Sequence, residues 1–289
     1  MPSPTFDLQA HSTASDGALR PAEVVRAAWL AGVRTLSLTD HDTVDGVQEA
    51  LDEAARIGDI RVIPGIEISV IDGLHADLHV CGYLVDHRAP ALVAALAEWR
   101  ADRAGRAERM LAALHELGWA TDDAEIEARR AQGLSIGRPH VASAAFRHPL
   151  NARRIEAEGL RTATDLLVAY LVEGAPAYRT RTRPSIEEAV ALIHDAGGVA
   201  VWAHPFWDVA DPAEVRVTLE RFAGLGVDGV EAFYVGFTEE QTSHLYAQAE
   251  RLGLLTTGSA DFHGPQHPNF HEFRAFDTYG LVPRLGPLA

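Results

Sequence analysis

The chain has 289 residues, 47% of them hydrophobic, which is enough to bury the core of one large α/β domain or of a barrel with an inserted lobe, and this excludes wholesale disorder. A formal net charge of −16 argues against the broad basic surface that duplex nucleic acid requires, yet it allows a small phosphate-bearing substrate beside bound cations. No apolar run reaches the ~20 residues of a membrane span, the start of the chain reads as no secretory leader, and the lone Cys81 excludes an intrachain disulfide, so a cytoplasmic location is expected.

In chain order, strand-like and helix-like runs alternate. A short strand over Phe6–Gln9 is followed by a helix from Pro21 to about Ala31, which opens on proline and closes at Gly32. Next come the strand "VRTLSL" and a helix over Val44–Ile57, for which Asp42 and Asp45 are candidate caps. The runs "IRVIPGIEISV" and "ADLHVCGYLV" read as adjacent strands of a hairpin turning through Asp72-Gly73. Residues 90–174 then change character. A long helix over 91–117, rich in Ala, Leu, Arg and Glu, precedes shorter helices at 122–132, 139–147 and 163–173, with no convincing strand. We therefore expect a barrel domain from 1–89 plus 175–289 and a helical insertion over 90–174. Alternation resumes with a helix over 185–196 that carries the capping-box pair Ser185 and Glu188. The strand "GGVAVWAH", a helix at 211–224, the strand "VDGVEAF", a helix at 238–252 and the strand "LLTTGS" complete the series. Repeated β–α units imply parallel strands in a barrel or barrel-like sheet.

In such barrels the active site lies at the C-terminal ends of the strands. His11 follows the first strand, His41 of "TDHDT" the second, His204 ends "VAVWAH", and Asp261 and His263 follow "LLTTGS". Glu67 lies in the third strand run, and alternation lets His79 share a face with Asp77 and Cys81. Imidazole and carboxylate suit zinc, manganese or iron, and a bridging glutamate can hold two cations close together for phosphoryl chemistry. A lone histidine after a strand is more often structural than a ligand; the collection on one rim carries the signal. Elsewhere the ordinary reading is preferred: His87, His115, His148, His194 and His244 are expected to be solvated, and His75 and Asp77 exposed. His267 and His271 lie in a loop after the last strand, where a substrate contact is the minority reading, and the tryptophans are expected to pack in the core or a lid, although Trp202 and Trp207 flank the expected site.

The runs "FDLQAHSTASDG", "TDHDT", "PGIEIS", "LHVCGY", "AGGVAVWAHP" and "GSADFHG" resemble, in order, the motifs of the polymerase and histidinol phosphatase (PHP) superfamily. "GRPHVA" at 137–142 is similar to its stand-alone phosphoesterase branch, the TrpH-like proteins, and the resemblance covers nearly the whole chain. It implies an α/β fold, a distorted (β/α)7 TIM-like barrel with a helical insertion, and a phosphoesterase with two or three divalent metal ions (Mn, Zn or Fe). Carried over by position, His11, Glu67 and Asp261 hold a first metal with Gln9 at the place of a fourth ligand. Glu67 bridges to a second held by His79 and His204, and Asp16, His41 and His263 hold a third. Arg138 and His140 belong to the family's substrate-contacting motif, and free amides at the helix start agree with an anion there. Arg138 would join Glu67, His204 and Asp261 in catalysis. In "YRTRTR", Arg179, Arg181 and Arg183 offer a further phosphate contact or a solvated basic run.

The family usually begins D-L-H-x-H-S, whereas this chain has Gln9 at the first histidine, and Ala260 stands where a serine often precedes the last aspartate. A neutral amide oxygen is a poorer donor than imidazole, so the first metal is expected to be held more weakly. The favoured function is metal-dependent hydrolysis of a phosphate ester in a small nucleotide, a 3′,5′-bisphosphate, or the 5′ end of a short oligonucleotide. A cyclic phosphodiesterase on the same metals is the enzymatic rival, and a non-catalytic metal- and phosphate-binding sensor is the rival of another class. The expected partner is a small phosphorylated molecule rather than duplex DNA or a membrane.

Overall fold

Strands and helices alternate through most of the chain. The computed structural model describes residues 4–73, 78–132, 136–180 and 184–289. Its strands are β1 (Phe6–Asp7), β2 (Thr35–Leu38), β3 (Arg61–Val70), β4 (Leu78–Tyr83), β5 (Val199–Trp202), β6 (Gly229–Tyr234) and β7 (Leu255–Ser259), joined in one sheet in that order. Leu8 donates to the Gly258 carbonyl (3.1 Å), and Ala10 bridges Phe262 in parallel. First and last strands thus meet, giving the nearly closed seven-stranded barrel that the family resemblance implies. The helices are α1 (Pro21–Leu30), α2 (Val47–Ile57), α3 (Pro90–Glu116), α4 (Ala124–Ala131), α5 (Arg138–Phe146), α6 (Ala152–Ala157), α7 (Ala163–Tyr170), α8 (Ile186–Asp195), α9 (Pro205–Asp208), α10 (Pro212–Gly224) and α11 (Glu239–Leu252).

The sheet is not uniformly parallel. β4 runs antiparallel to both β3 and β5, and the other neighbouring pairs are parallel. The cause is the short β3–β4 connection, which leaves no room for a crossover helix. Gly73, with φ +81°, begins the turn; residues 74–77, with the expectations for His75 and Asp77, lie outside the described residues. Gly65 lets β3 approach β2 closely: a Cβ there would meet Ser37 Oγ at 2.2 Å.

The chain forms two compact units, Met1–Leu96 with Pro184–Ala289, and Ala97–Arg183. In the first, Val24, Val25 and Ala28 of α1 pack with Ala50 of α2 and with Leu36 and Leu38 of β2, closing the outside of the barrel. The second has its own core, built on Met110, Leu114, Trp119, Ile126, Val141 and Leu166. Among its described residues the regular elements are all helices. Among the described residues no helix is long and apolar enough to cross a membrane.

Two local expectations change. The helix after β2 starts at Val47, not near Thr43, and neither Asp42 nor Asp45 caps it; Gly46 is its N-cap. Asp42 instead accepts a hydrogen bond from the Ser69 amide (3.0 Å), tying the "TDHDT" loop to β3. A helical stretch absent from the sequence reading, a 3-10 turn at Pro149–Asn151 followed by α6, has no buried side chain in α6 and hence no apolar period to betray it.

Candidate metal centre

The barrel's strand ends gather five imidazoles and three carboxylates. His11, His41, His204, Asp261 and His263 sit in loops just past strands whose C-terminal ends share one rim. His79 reaches the same rim because β4 is reversed: as the second residue of an antiparallel strand, it lies where its neighbours end. Within the β3–β4 ladder Ser69 pairs with His79 and Glu67 with Cys81, and His41 bridges Glu67 from the β2 side.

Glu67 is the hub. Its Oε1 lies 2.7 Å from His79 Nδ1 and 3.0 Å from His204 Nε2; its Oε2 lies 3.0 Å from His11 Nε2 and 3.5 Å from His41 Nδ1. His11 Nε2 is also 3.0 Å from Asp261 Oδ1, while Asp16 stands 3.6 Å from His11, His41 and His263 alike. His79 and His204 approach to 3.3 Å. Three groups have donor atoms close enough to share an ion: His11, Glu67 and Asp261; His41, Glu67 and His79; and His11, Asp16, His41 and His263. Two ligand atoms on one ion at ~2.1 Å are separated by about 3–3.5 Å, the spacing found here.

The donor set fits metals on a second ground. Both His11 nitrogens, His41 Nδ1, Glu67 Oε2, His204 Nδ1 and Asp261 Oδ1 are buried without a hydrogen-bond partner. Buried polar atoms are almost always bonded, so such a concentration on one rim is the pattern of a cation-binding site. His263 Nδ1 donates to the Asp261 carbonyl (2.7 Å), which turns its Nε2 toward Asp16, 3.6 Å away.

The rim backbone is held under strain. Of the six non-glycine residues with positive φ among those described, three lie here: Asp42 (54°), His204 (31°) and Asp261 (52°). Each is anchored. The His204 amide donates to Glu231 Oε2 (2.9 Å), whose Oε1 takes the Ser259 hydroxyl (2.6 Å). The Asp42 amide donates to the Glu67 carbonyl (2.8 Å). Next to Asp261, the Ala260 amide donates to Asp7 (3.0 Å), and the Tyr234 hydroxyl donates to Asp261 Oδ2 (2.7 Å). Asp40 collects the Ser12 amide and hydroxyl (2.7 Å each) and the Ser15 hydroxyl (2.6 Å), which folds the loop carrying Asp16. Gly17 completes that loop, since a Cβ there would lie 2.3 Å from the His11 carbonyl oxygen.

Electrostatics follow from burial and crowding. Burial works against a charged His11, but Asp261 and Glu67 outweigh it and hold its pKa well above the usual imidazole value; Asp208 and Glu67 do the same for His204. Burial lowers His41 to about 3 against the pull of Glu67 and Asp16. Burial opposes ionisation of Glu67 and Asp261 too, yet the surrounding histidines keep both below the ordinary carboxylate range. Burial pushes Asp7 up to about 7 and Glu231 up to about 8, the latter offset in part by His204. Burial and the negative charge of Asp261 raise Tyr234 well above the usual phenol, keeping its proton available to Asp261.

The PHP domain family matches residues 7–136. A 3′,5′-nucleoside bisphosphate phosphatase of Chromobacterium violaceum is 36% identical over 270 residues, covering 90% of this chain and 87% of that protein. The chain belongs to the PHP superfamily. It is also 32% identical to a 5′-3′ exoribonuclease of Haemophilus influenzae, over 90% of both chains. A solved amidohydrolase structure from Chromobacterium violaceum, with bound sulfate and no metal, superposes with a TM-score of 0.78 at 31% identity, covering 93% of this chain and 91% of that one. The chain is accordingly a metal-dependent phosphoesterase of the stand-alone PHP type.

Against that family pattern, Gln9 is the departure of most consequence. It sits between Asp7, the last residue of β1, and His11 in the run that leads from that strand to the rim. Gln9 is fully buried, and neither its amide oxygen nor its amide nitrogen has a partner. The helical unit places Arg138 as the first residue of α5, with Gly137 as N-cap. His140 Nδ1 accepts the Gly137 amide (3.0 Å), so this ring has a local structural job. Arg179 turns its guanidinium back onto the Tyr178 carbonyl (2.7 Å), and its own carbonyl accepts from Arg106 Nε (2.6 Å). Arg181 and Arg183 lie outside the described residues.

Several residues that build the PHP centre were not singled out in the sequence: Asp40, Glu231 and Tyr234. The available signal was weak but real: Glu231 and Tyr234 are the polar residues of an otherwise apolar strand, and Asp40 lies two residues past β2. Among the histidines expected to be solvated, His194 is half exposed and paired with Asp228 (2.8 Å). His244 differs, with Nε2 buried and its ring edge-on to Phe206 at 6.0 Å.

Proposed function

We propose that this PHP protein hydrolyses the phosphate ester of a small nucleotide, a 3′,5′-bisphosphate or the 5′ end of a short oligonucleotide, using two or three manganese, zinc or iron ions. The observation that carries the reading is Glu67, whose Oε1 faces His79 and His204 while its Oε2 faces His11, so that one carboxylate suits two neighbouring cations. His11, Glu67 and Asp261, with Gln9, would hold one ion, Glu67, His79 and His204 a second, and Asp16, His41 and His263 a third. When bound, such ions activate water and offset negative charge building on phosphoryl oxygens. Glu67 and Asp261, ionised despite burial, supply the countercharge that keeps cations here. Tyr234 and Glu231 orient Asp261 and the His204 backbone. The relatives' substrates favour nucleotides, and the acidic chain favours a small one over long RNA. The family motif assigns substrate contact to Arg138 and His140, with Arg179 and Arg181 as further phosphate contacts. The buried single Cys81 suits a reducing, cytoplasmic compartment.

The test is a manganese-supplemented screen of adenosine 3′,5′-bisphosphate, 5′-phosphorylated oligonucleotides, a cyclic phosphodiester and histidinol phosphate. Turnover of the first two, abolished in Glu67→Ala and His204→Ala with folding intact, is the expected result. Arg138→Ala should raise KM for the bisphosphate. Gln9 favours one second reading, a phosphate sensor with a weakened first site. Tight nucleotide binding without turnover under manganese would replace the hydrolase by that sensor.

A further inference from the structure

On the β5 and β7 side of the rim the barrel unit carries aromatic rings that the ligand roles do not use. Phe270 lies 5.4 Å, centroid to centroid, from the ring of His263. Trp207 lies 5.6 Å from Phe270 with planes 58° apart, and His267 stacks on Phe270 at 4.9 Å with planes 18° apart. Tyr234, which holds Asp261, lies 6.3 Å from Phe270 and 6.5 Å from Trp207. The run is therefore continuous with the metal centre.

Trp207 is unusual among the five tryptophans. Trp99, Trp119 and Trp202 are buried, Trp29 is half-buried, and Trp207 exposes 61% of its surface. Its position is tied to a candidate ligand: the Trp207 amide donates to the His204 carbonyl (2.9 Å), so the tight turn that presents His204 also presents this indole. An open indole and a half-buried phenyl ring beside a phosphate-binding centre offer flat π surface without charge.

We propose that Trp207 and Phe270, extended by His267, form a stacking ledge for the nucleobase of an ester whose phosphate lies at the metal centre. The ester itself rests on the phosphoesterase reading above. Stacking suits this chain because it recognises a base without the basic groups that an acidic protein lacks in number. It tolerates any base, since every base has a π face, so the ledge predicts weak discrimination between purine and pyrimidine nucleotides.

The experiment compares adenosine 3′,5′-bisphosphate with ribose 5-phosphate, which has no base, on the manganese-loaded protein. In Trp207→Ala the ratio of their kcat/KM values should fall about five- to hundredfold, the range that alanine substitution of a stacking partner gives. The loss should lie mainly in KM, Phe270→Leu should move the ratio in the same direction, and Trp207→Phe should restore most of it. Adenosine alone should quench the emission difference between wild type and Trp207→Phe in a saturable way, and ribose should not. A ratio unchanged within twofold, with no differential quenching and with hydrolysis intact, overturns the ledge and leaves the phosphoesterase reading standing. Saturable quenching without hydrolysis of either ester keeps the ledge and removes the phosphoesterase reading.

Discussion

Replacing Gln9 by histidine tests the metal centre at its weakest point. The wild-type side chain is fully buried with both amide atoms unpartnered, a state that costs about 1–3 kcal/mol for an uncompensated group. A cation on the amide oxygen would recover part of that cost, but a neutral amide donates less strongly than the imidazole usual at this family position. Changes to a metal's supporting groups shift affinity by about ten- to a hundredfold. We expect Gln9→His to tighten the weakest manganese site by that factor, or about 1.4–2.7 kcal/mol. At a free metal concentration above both dissociation constants this difference passes fully into stability. For a domain of this size it corresponds to a rise of about 3–10 °C in Tm with manganese, and little change in EDTA. Gln9→Met, which removes both unpartnered atoms, should be neutral or stabilising in EDTA and should lose part of the manganese-dependent gain. Metal titration by calorimetry and metal analysis of the purified proteins read both effects. Identical manganese isotherms and stoichiometries for wild type, Gln9→His and Gln9→Met would refute the placement of Gln9 in the metal shell.

Other perturbations act on the supports. Tyr234→Phe removes the hydroxyl that donates to Asp261 and should weaken manganese binding about tenfold, a shift of the size second-layer partners produce; an unchanged isotherm would remove Tyr234 from the centre. Asp40→Ala strands the Ser12 amide and two hydroxyls and should destabilise the fold by roughly 3 kcal/mol or more in urea unfolding; a loss under 1 kcal/mol would contradict its role in holding the Asp16 loop. Above about pH 6.5, where the lowered pKa values of His41, Glu67 and Asp261 no longer add to the slope, the metal-free protein should lose stability as pH rises. Raised pKa values on His11 and His204 contribute stability that is complete below the unfolded imidazole value and is lost as pH passes the folded one. Asp7 and Glu231 act in the same direction, because acids whose folded pKa values are about 7 and about 8 favour the folded state most while protonated. Manganese requires neutral imidazoles, so its binding should release protons, tighten with pH, and widen the Tm gap over EDTA between pH 6 and 9; a gap that narrows would reverse the assignment.

The clustering of side chains on one rim was legible because two rules act together. Alternating strands and helices specify a barrel, and a barrel exposes the residues just past its strands on one face, so His11, His41, His204, Asp261 and His263 could be grouped before any coordinates. His79 was legible only through the hairpin, since its place on the rim depends on β4 being reversed. Glu231 and Tyr234 act on residues 27 positions away, and Asp40 on loop residues 25 to 28 positions away. No local pattern records such contacts. Asp42 was misread because an aspartate ahead of a helix resembles a cap; its positive φ and its bond to Ser69 arise from β3, which sequence spacing does not reveal. α6 escaped notice because helical periodicity is visible only where a face is buried.

Sharing and strain explain why so many supports are needed. Left-handed conformations at His204 and Asp261 each cost on the order of 1–3 kcal/mol and persist only where surrounding bonds over-determine them. Glu231, Asp7 and Tyr234 supply those bonds from inside the barrel, where burial strengthens each one. The same arrangement makes the ligand groups interdependent. Glu67 belongs to two of them, so fixing its carboxylate for one cation orders it for the next. Neighbouring cations also repel, and the carboxylates of Asp16, Glu67 and Asp261 offset that repulsion at close range. Loading should therefore be cooperative in ordering but limited by charge, and if Gln9 stands among the ligands of the first metal, its weaker donation should lower occupancy beyond its own site. The fold thus spends backbone strain on the rim to obtain ligands that are already aimed before a cation arrives.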